Sequence, residues 1–460
     1  MLPLATVGVA FLAASTALAA NTVSCGLGNL CPTDLPCCSQ YGQCGVGAYC
    51  LGGCDPRSSN SLQSCVPAPV CKSQDYKLTS LNDITANTEY LGDASKTNWV
   101  SSGQPLAYQN SVLMTMAQGT VGTLLASASY VWYGKVSATM QSSRGAGVVT
   151  AFILLSDVKD EIDFEFVGAD LTAAQSNFYF QGITNYGNEE NLTVSDTFQN
   201  SHTYEVDWQP DQLTWSIDGQ AARTLKRSDT WNATDNRFHY PQSPARIQLS
   251  LWPAGLSSNG QGTVDWAGGL IDWNSADVKN NGYYYATITD VNVQCYDPPS
   301  GANVTGSKSY VYTSNAGTNN TVSLTNDNTI LKSLLGTGTN MSADYSPSSS
   351  SASSASSATS GTASATSAAA TSELATVPGL SGAGPGTDGQ RGTDSSGSGS
   401  GSSSGGSGSS VSSASGSAST SFVQGPSTVK TGGGASQGTE RVLQGSLFAV
   451  LVAVVGMLVM

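Results

Sequence analysis

The central part of the sequence predicts an all-β fold made of two packed antiparallel sheets. Short runs of alternating apolar and polar residues recur between positions 76 and 296, and Gly, Asn, Asp and Pro turns separate them. The clearest runs cover residues 130–139, 148–155, 177–181, 203–208, 213–217 and 246–251. No long stretch in this part repeats with a helical period, so a β-sandwich is expected.

The composition restricts the class of protein. The chain has 460 residues, 51 of them glycine, with 11% charged residues and a formal net charge of −14. Nucleic acids and anionic membrane surfaces attract basic proteins, so this chain is not expected to bind either one. A low charged fraction with many glycines is typical of extracellular or low-complexity proteins rather than of cytosolic enzymes.

Residues 1–20 have the features of a secretory signal peptide. The run 4–18 is apolar but too short to span a bilayer, and Ala17 and Ala19 supply the small residues of a cleavage site. No Lys or Arg precedes the run, which departs from the usual pattern, and an uncleaved anchor is the alternative. We expect a secreted protein that begins after Ala19 or Ala20.

Residues 21–64 are expected to form a small disulfide-rich module. Nine of the ten cysteines lie between Cys25 and Cys71. Because so short a secreted segment cannot bury enough apolar area by itself, disulfides are expected to hold it together. A zinc site is the alternative, but the segment has no histidine, and the adjacent Cys37 and Cys38 suit disulfides better.

The stretch 160–166 carries the strongest chemical signal in the chain. On a β-strand, Glu161, Asp163 and Glu165 share one face, and an apolar set made of Ile162, Phe164 and Phe166 shares the other. Three neighbouring carboxylates repel one another, so stability alone does not explain them. Retaining glycoside hydrolysis uses two carboxyl groups about 5–5.5 Å apart. The alternative is an acidic, solvent-facing strand of an ordinary sandwich.

This stretch resembles a known enzyme family. Glu161, Asp163 and Glu165 match the E-x-D-x-E signature of family 16 glycoside hydrolases, and the wider sequence is similar to the fungal Crh cell-wall transglycosylases. Flanking segments agree in order, among them 133–136, 145–152, 202–208, 215–219 and 248–253. The resemblance covers roughly residues 70–300, and our domain boundaries are 65–300. It implies a β-jelly roll with the carboxylates on the concave face.

The resemblance also assigns roles to residues. It implies that Glu161 is the nucleophile, Glu165 the acid/base and Asp163 the helper between them, and that Gln248, Trp252 and Thr263 contact the sugar chain. For Trp252, an ordinary core position is the alternative. It further implies cleavage of chitin and transfer of the fragment to β-1,3- or β-1,6-glucan. No cofactor is expected, and no metal, because His202 and His239 lack the spacing of metal ligands. Trp208, Trp215, His202 and His239 are expected to be structural.

The N-terminal module resembles the hevein-type chitin-binding modules of family 18. The similarity rests on the segments 31–32, 37–45 and 49–50, with Gln43 at a position that is usually aromatic. It implies that Ser39, Tyr41 and Tyr49 bind N-acetylglucosamine, and that the disulfides join Cys25 to Cys38, Cys31 to Cys44 and Cys37 to Cys50. We further expect a bond between Cys65 and Cys71. The alternative is a disulfide cap that only packs against the next domain.

The C-terminal third predicts a glycosylated, membrane-anchored tail. N-glycosylation sequons occur at Asn191, Asn232, Asn303, Asn319 and Asn340, the last three in an extension spanning 301–341. Residues 342–434 are rich in Ser, Ala, Thr and Gly and are expected to form a disordered stalk. Small residues around Gly433, a polar spacer and the apolar run 447–460 are typical of a GPI signal, with 435–460 removed. A tail-anchored membrane protein is the alternative.

Together these features predict a secreted enzyme held at the outer leaflet of the plasma membrane and in the cell wall. Its expected partners are chitin and β-glucan polysaccharides. A plain endo-acting hydrolase of chitin or β-glucan is the alternative within enzymes. A non-catalytic chitin-binding wall protein is the alternative from another class, and the intact set of three carboxylates argues against it.

Overall fold

The computed structural model describes residues 23–345 of the chain. The predicted signal peptide, the propeptide 435–460, the attachment residue Gly433 and all but the first four residues of the stalk lie outside the described residues. Within 23–345, the helices are all too short or too polar to cross a membrane.

Strands dominate the described part of the chain, which has 24 of them and two short α-helices. The first twelve strands are β1 (Cys37–Cys38), β2 (Cys44–Gly45), β3 (Ala68–Pro69), β4 (Gln74–Lys77), β5 (Ile84–Ala86), β6 (Trp99–Ser102), β7 (Pro105–Tyr108), β8 (Ser111–Ala117), β9 (Thr123–Val131), β10 (Gly134–Gln141), β11 (Val148–Ser156) and β12 (Glu161–Val167). The remaining strands are β13 (Ala173–Tyr179), β14 (Glu190–Thr193), β15 (His202–Trp208), β16 (Gln212–Ile217), β17 (Gln220–Lys226), β18 (Trp231–Asn232), β19 (Arg237–Phe238), β20 (Ala245–Pro253), β21 (Tyr283–Cys295), β22 (Asn303–Val304), β23 (Ser309–Tyr312) and β24 (Val322–Thr325). The helices are α1 (Gln261–Trp266) and α2 (Ala276–Asn281).

Two eight-stranded sheets form the body of the protein. The acidic sheet, named for β12, has the order β14-β13-β12-β11-β20-β9-β6-β5. The outer sheet has the order β17-β16-β15-β10-β21-β8-β7, with β4 paired to β21. Neighbouring strands in both sheets are antiparallel except β5 and β6. The predicted all-β sandwich is confirmed, and the arrangement agrees with the implied jelly roll.

The core lies between the two sheets. Phe152, Phe164 and Phe166 of the acidic sheet are fully buried and stack on one another. Phe164 and Phe166 also contact the ring of Tyr204, which belongs to the outer sheet. Each of these large rings removes roughly 150–250 Å² of surface from water. The apolar face of the acidic strand is therefore core, as its alternation predicts.

Two predicted strands have different bounds in the structure. Residues 130–139 are not one strand, because β9 ends at Val131 and β10 begins at Gly134 in the other sheet. Tyr133 lies between them with a φ of 61°, a left-handed conformation at the point where the chain passes from one sheet to the other. The run 177–181 overlaps β13 only in part, because β13 begins at Ala173 and ends at Tyr179. The other four runs lie within β11, β15, β16 and β20.

Five disulfides link the described cysteines. Three of them join Cys25 to Cys38, Cys31 to Cys44 and Cys37 to Cys50, the pairs implied by the hevein resemblance. The expected bond between Cys65 and Cys71 is wrong. Cys65 bonds to Cys54, which places it with the N-terminal module, and Cys71 bonds to Cys295 at the end of β21. The latter bond closes the sandwich across 224 positions of sequence.

The extension after the sandwich is folded. Strands β22, β24 and β23 form a small sheet that β3 completes. Of the predicted glycosylation sites, Asn191, Asn303 and Asn340 are exposed, whereas Asn232 and Asn319 are partly buried. The side chain of Asn319 also hydrogen-bonds the Tyr133 hydroxyl, which disfavours a glycan there. Glycosylation at all five positions stays a prediction.

Candidate active site

The register of β12 with its neighbours sets out the acidic face, the side of the acidic sheet that carries the three carboxylates. Residues directly opposite each other in antiparallel strands point to the same face. The rows across β13, β12, β11 and β20 are Tyr179, Glu161, Leu155 and Arg246; Asn177, Asp163, Ile153 and Gln248; and Gln175, Glu165, Ala151 and Ser250. The fold thus brings Gln248 into the row of Asp163, two strands away.

Two contacts hold β12 in position. The carboxylate of Asp160, which immediately precedes the strand, accepts hydrogen bonds from the main-chain N–H groups of Gln242 and Ser243 at 2.9 and 3.0 Å. From the outer sheet, the indole N–H of Trp215 donates to the main-chain carbonyl of Asp163 at 3.0 Å. Trp215 is fully buried, as expected. The carboxylates therefore stand on a rigid strand.

The three carboxylates are buried together and leave polar atoms unsatisfied. Glu161, Asp163 and Glu165 are only 3%, 0% and 3% exposed. Apart from the contact between the Glu161 and Asp163 carboxyl groups, both oxygens of Asp163 and Oε2 of Glu161 lack a hydrogen-bond partner. Burying adjacent carboxyl groups with so few partners costs stability, so this arrangement is typical of a functional site rather than of a structural strand.

Burial shifts the protonation of this group. Desolvation raises the pKa of Glu161 to about 7, while contact with Asp163 and the charge of Lys159 oppose the shift. Desolvation, together with the charges of Glu161 and Glu165, raises the pKa of Asp163 well above its usual range. The proton shared by Glu161 and Asp163 therefore resides on Asp163. Glu161 is the more easily ionised of the two.

Aromatic and amide side chains flank the Glu165 end of the site. Trp252 is only 4% exposed and stacks on Trp266, with ring centroids 6.0 Å apart. The indole of Trp266 donates to Oε1 of Gln175, the cross-strand partner of Glu165. Trp266 is half-buried, whereas Trp252 packs beneath it like a core residue. Thr263 is buried in α1, the short helix that also carries Trp266.

The other side of the acidic face meets the N-terminal module. The amide of Gln248 donates to Oε1 of Gln40 at 3.0 Å. Lys159, which precedes the acidic strand, donates to the main-chain carbonyl of Gln40 at 2.7 Å. Gln40 thus hydrogen-bonds Lys159, which lies two positions before Glu161, and Gln248, which lies two strands from Asp163 in the same row.

The module residues expected to bind sugar are buried in this arrangement. Ser39, Tyr41 and Tyr49 are 3%, 7% and 2% exposed. Ser39 and Tyr41 face the acidic sheet, and Tyr49 belongs to an apolar cluster that includes Tyr90 and Val100 of the sandwich. Their side chains do not present a free surface to a ligand. The arrangement matches the alternative of a disulfide cap that packs against the next domain.

The sequence reasoning missed several residues of this site. Gln175, Asn177 and Tyr179 alternate along β13 with Ala174, Ser176 and Phe178, and the polar Ser176 at a core position weakens the period of two that could have identified them. No local pattern indicates Gln40, Lys159 or Trp266, because tertiary contacts alone place them near the carboxylates. His202 hydrogen-bonds Asp218 and His239 hydrogen-bonds Asp235, which agrees with the structural role expected for both.

Cysteine sulfurs account for the one group of possible metal ligands found among residues 23–345. Cys25, Cys31 and Cys38 lie close together, but each of them is part of a disulfide. They therefore cannot act as thiolate ligands.

Comparison with known proteins identifies the family. The sequence profile of the glycosyl hydrolases of family 16 matches residues 93–268. A solved structure described as Crh5 transglycosylase in complex with NAG is 28% identical, covers 59% of this chain and 99% of its own, and has a TM-score of 0.48. Crh-like protein 2 of Aspergillus fumigatus is 54% identical over 346 residues, 74% of this chain and 78% of the relative. Crh-like protein 3 of Botryotinia fuckeliana is 57% identical over 449 residues, 97% of both chains. This chain therefore belongs to the Crh-like proteins, and its sandwich is a family 16 glycosyl hydrolase domain.

Proposed function

We propose that the protein is a cell-surface chitin transglycosylase. It cleaves chitin and transfers the released fragment to β-1,3- or β-1,6-glucan, which cross-links the cell wall. The observation that carries the proposal is the buried trio of Glu161, Asp163 and Glu165 on one face of a rigid strand. Two protein carboxyls with different protonation states are what a retaining glycosidase requires.

In the first half of the reaction, the carboxylate of Glu161 attacks the anomeric carbon of a chitin residue. The glycosidic bond breaks as Glu165 gives its proton to the leaving oxygen, and a glycosyl ester forms on Glu161. Asp163, which retains its proton, keeps the neighbouring Glu161 in its ionised form. Asp163 is therefore a positioning and electrostatic residue rather than the nucleophile.

In the second half, Glu165 removes a proton from the incoming hydroxyl. The hydroxyl oxygen attacks the anomeric carbon, the ester bond breaks, and Glu161 returns to its ionised form. A glucan hydroxyl bound on the acidic face reacts by proximity and excludes water as the competing nucleophile. The product is a chitin–glucan hybrid with the configuration of the original bond.

We place this enzyme outside the cell. The predicted signal peptide directs secretion, and the predicted GPI attachment at Gly433 holds it at the membrane beside its polysaccharide substrates. Five disulfides in the described part of the chain are consistent with an oxidising compartment. Treating cells with a phospholipase specific for GPI anchors and measuring how much of the protein is released tests this placement.

The experiment that tests the reaction uses the secreted protein without its C-terminal signal. It is incubated with chitin oligosaccharides and a fluorescent β-1,3-glucan acceptor, in parallel with Glu161→Gln, Glu165→Gln and Glu205→Gln. Glu205 lies on the outer sheet and pairs with Lys135, so it is a matched carboxylate control. Fluorescent hybrids are expected from wild type and Glu205→Gln only. Shortened chitin without hybrids would instead indicate a hydrolase, and retained binding without any product would indicate a wall-binding protein.

A further inference from the structure

The N-terminal module packs against the sandwich as an integral part of the fold. A shared apolar cluster includes Tyr49 and Leu51 of the module, Tyr90 and Val100 of the sandwich, and Leu331 of the C-terminal extension. All five of these side chains are at most 7% exposed. Separating the module would expose this cluster to water at about 25 cal/mol per Å² of apolar surface. The contact therefore resembles a core rather than a loose tether between domains.

Buried polar contacts reinforce the same interface. The main-chain N–H of Gly53 donates to Oδ1 of Asp157 at 2.9 Å and to the Tyr130 hydroxyl at 3.1 Å. The module also bonds the C-terminal extension: the N–H of Gly47 donates to the carbonyl of Gly336 at 2.7 Å, and the N–H of Gly338 donates to the carbonyl of Ser64 at 2.8 Å. The module is thus fixed to both the sandwich and the extension.

Gln40 lies where this interface reaches the acidic face. Its side chain accepts from Gln248, which is in the row of Asp163, and also hydrogen-bonds the Tyr41 hydroxyl. Its main-chain carbonyl accepts from Lys159. Gly53 allows this close packing, since a Cβ there would lie 2.7 Å from Oε1 of Gln40, and its φ of 87° disfavours any other residue.

The module lies over the acidic sheet beyond Gln248. Ser39, Gln40 and Tyr41 of the module line one side of a narrow gap, and Ala126 of β9 and Arg246 of β20 line the other. A glycan that crosses the acidic sheet from β12 towards β9 therefore meets the module at Gln248.

We propose that the hevein-like module is the end wall of the glycan-binding face, and that Gln40 is the positioning residue through which it acts. Gln40 fixes the amide of Gln248 in the row of Asp163, and the module limits how far a sugar chain extends across β20 and β9. The module thus sets the length of bound oligosaccharide instead of holding chitin at a separate site. This inference rests on the proposed function, because it assumes that the acidic face binds a glycan.

The test compares Gln40→Ala and Gln40→Leu with Gln63→Ala in the secreted protein. Gln40→Leu keeps the volume of the side chain but removes its hydrogen bonds. Gln63 is an exposed glutamine of the same module and serves as the control. KM, kcat and the lengths of hybrid products are measured with chitin oligosaccharides of defined length and a labelled β-1,3-glucan acceptor, and Tm is measured for each variant.

Both Gln40 variants are expected to raise KM for an oligosaccharide substrate about tenfold, or 1.4 kcal/mol, with a smaller change in kcat and a shifted distribution of product lengths. Gln63→Ala is expected to match wild type. A lower Tm and kcat with unchanged KM and product lengths would mean that Gln40 is only structural, which would overturn the proposal. So would Gln40 variants that match wild type throughout.

Failure of the proposed function gives a different result. If wild type makes no hybrid products, the transfer reaction is refuted, but the effect of the module on oligosaccharide binding can still be measured. The affinity of Glu161→Gln for the same chitin oligosaccharides is then compared with that of the double variant Glu161→Gln, Gln40→Ala by calorimetry. If the double variant binds more weakly and the loss depends on oligosaccharide length, the module is the end wall of the glycan-binding face. Equal affinity at all lengths contradicts this proposal.

Discussion

Both faces of β12 are buried, but only the core face is free of buried polar atoms that lack hydrogen-bond partners. On the core face, Phe164 and Phe166 stack on neighbouring rings and have no polar group to satisfy. On the acidic face, Asp163 is just as buried, yet apart from its contact with Glu161 neither of its carboxyl oxygens has a hydrogen-bond partner. One strand therefore stabilises the fold through one face and carries buried carboxyl groups that cost stability on the other.

The difference shows what each face does. Apolar burial on the core face contributes stability that offsets the cost of desolvating carboxylates on the acidic face. Because the strand is held by Asp160 and by Trp215 of the outer sheet, the carboxyl groups remain in place despite the cost of burying them. Substitutions on the acidic face should therefore change chemistry and pH dependence, whereas substitutions on the core face should change stability.

The largest effect is expected from the catalytic carboxylates. Glu161→Gln removes the nucleophile and should lower kcat by about 10³-fold or more, and Glu165→Gln should lower it by about 10²–10⁴-fold by removing the acid/base. Neither variant should lower Tm, because an amide is cheaper to bury than a charge. Transfer kinetics and thermal unfolding on the same samples check both statements. A Tm loss that parallels the activity loss would mean that the acidic face is structural.

The core face should show the opposite pattern. Phe164→Ala removes a fully buried ring and should reduce the free energy of unfolding by about 3–5 kcal/mol. Leu270, which is 59% exposed, provides the control, and Leu270→Ala should change the stability by no more than about 0.5 kcal/mol. Denaturant unfolding measures both. A small loss for Phe164→Ala would remove the contrast between the two faces.

The dependence of stability on pH should sharpen the comparison. The pKa of Glu161 is about 7 in the folded protein against an ordinary value of 4.5, so the folded state binds the proton more tightly. This group's contribution to stability is complete below pH 4.5 and declines as the pH rises to 7, by at most about 1.4 kcal/mol per unit of pKa difference. Glu161→Gln should flatten the decline of unfolding free energy between these pH values. An identical pH profile in wild type and variant would show that Glu161 is not desolvated.

A smaller effect is expected from the cation beside the acidic face. The charge of Lys159 lowers the pKa of Glu161, so Lys159→Met should raise it. The acidic limb of kcat/KM should then move to higher pH. Lys96, which is 81% exposed and distant in sequence from β12, provides the control variant Lys96→Met. A shift in Lys96→Met of the same size would assign the effect to net charge rather than to Lys159.

Local sequence patterns predict the parts of this site that depend on local structure. The alternation of residues 160–166 gives both faces of β12, because side-chain direction in a strand follows from position alone. The turn at Tyr133 escapes the same reasoning, since a positive φ at a tyrosine has no local signature. The partners of Cys65 and Cys71 and the contact of Gln40 with Gln248 depend on how distant segments pack. Those features become visible only in the folded chain.

The most direct test of the double-displacement account is to trap its covalent intermediate. Glu165→Gln is mixed with a chitin oligosaccharide that carries an activated aryl leaving group, which departs without acid catalysis. Without a base to activate the acceptor, the glycosyl ester should accumulate, and mass spectrometry of peptides should place the added sugar mass on Glu161. Absence of an adduct, or an adduct on any other residue, would contradict the central role assigned to Glu161.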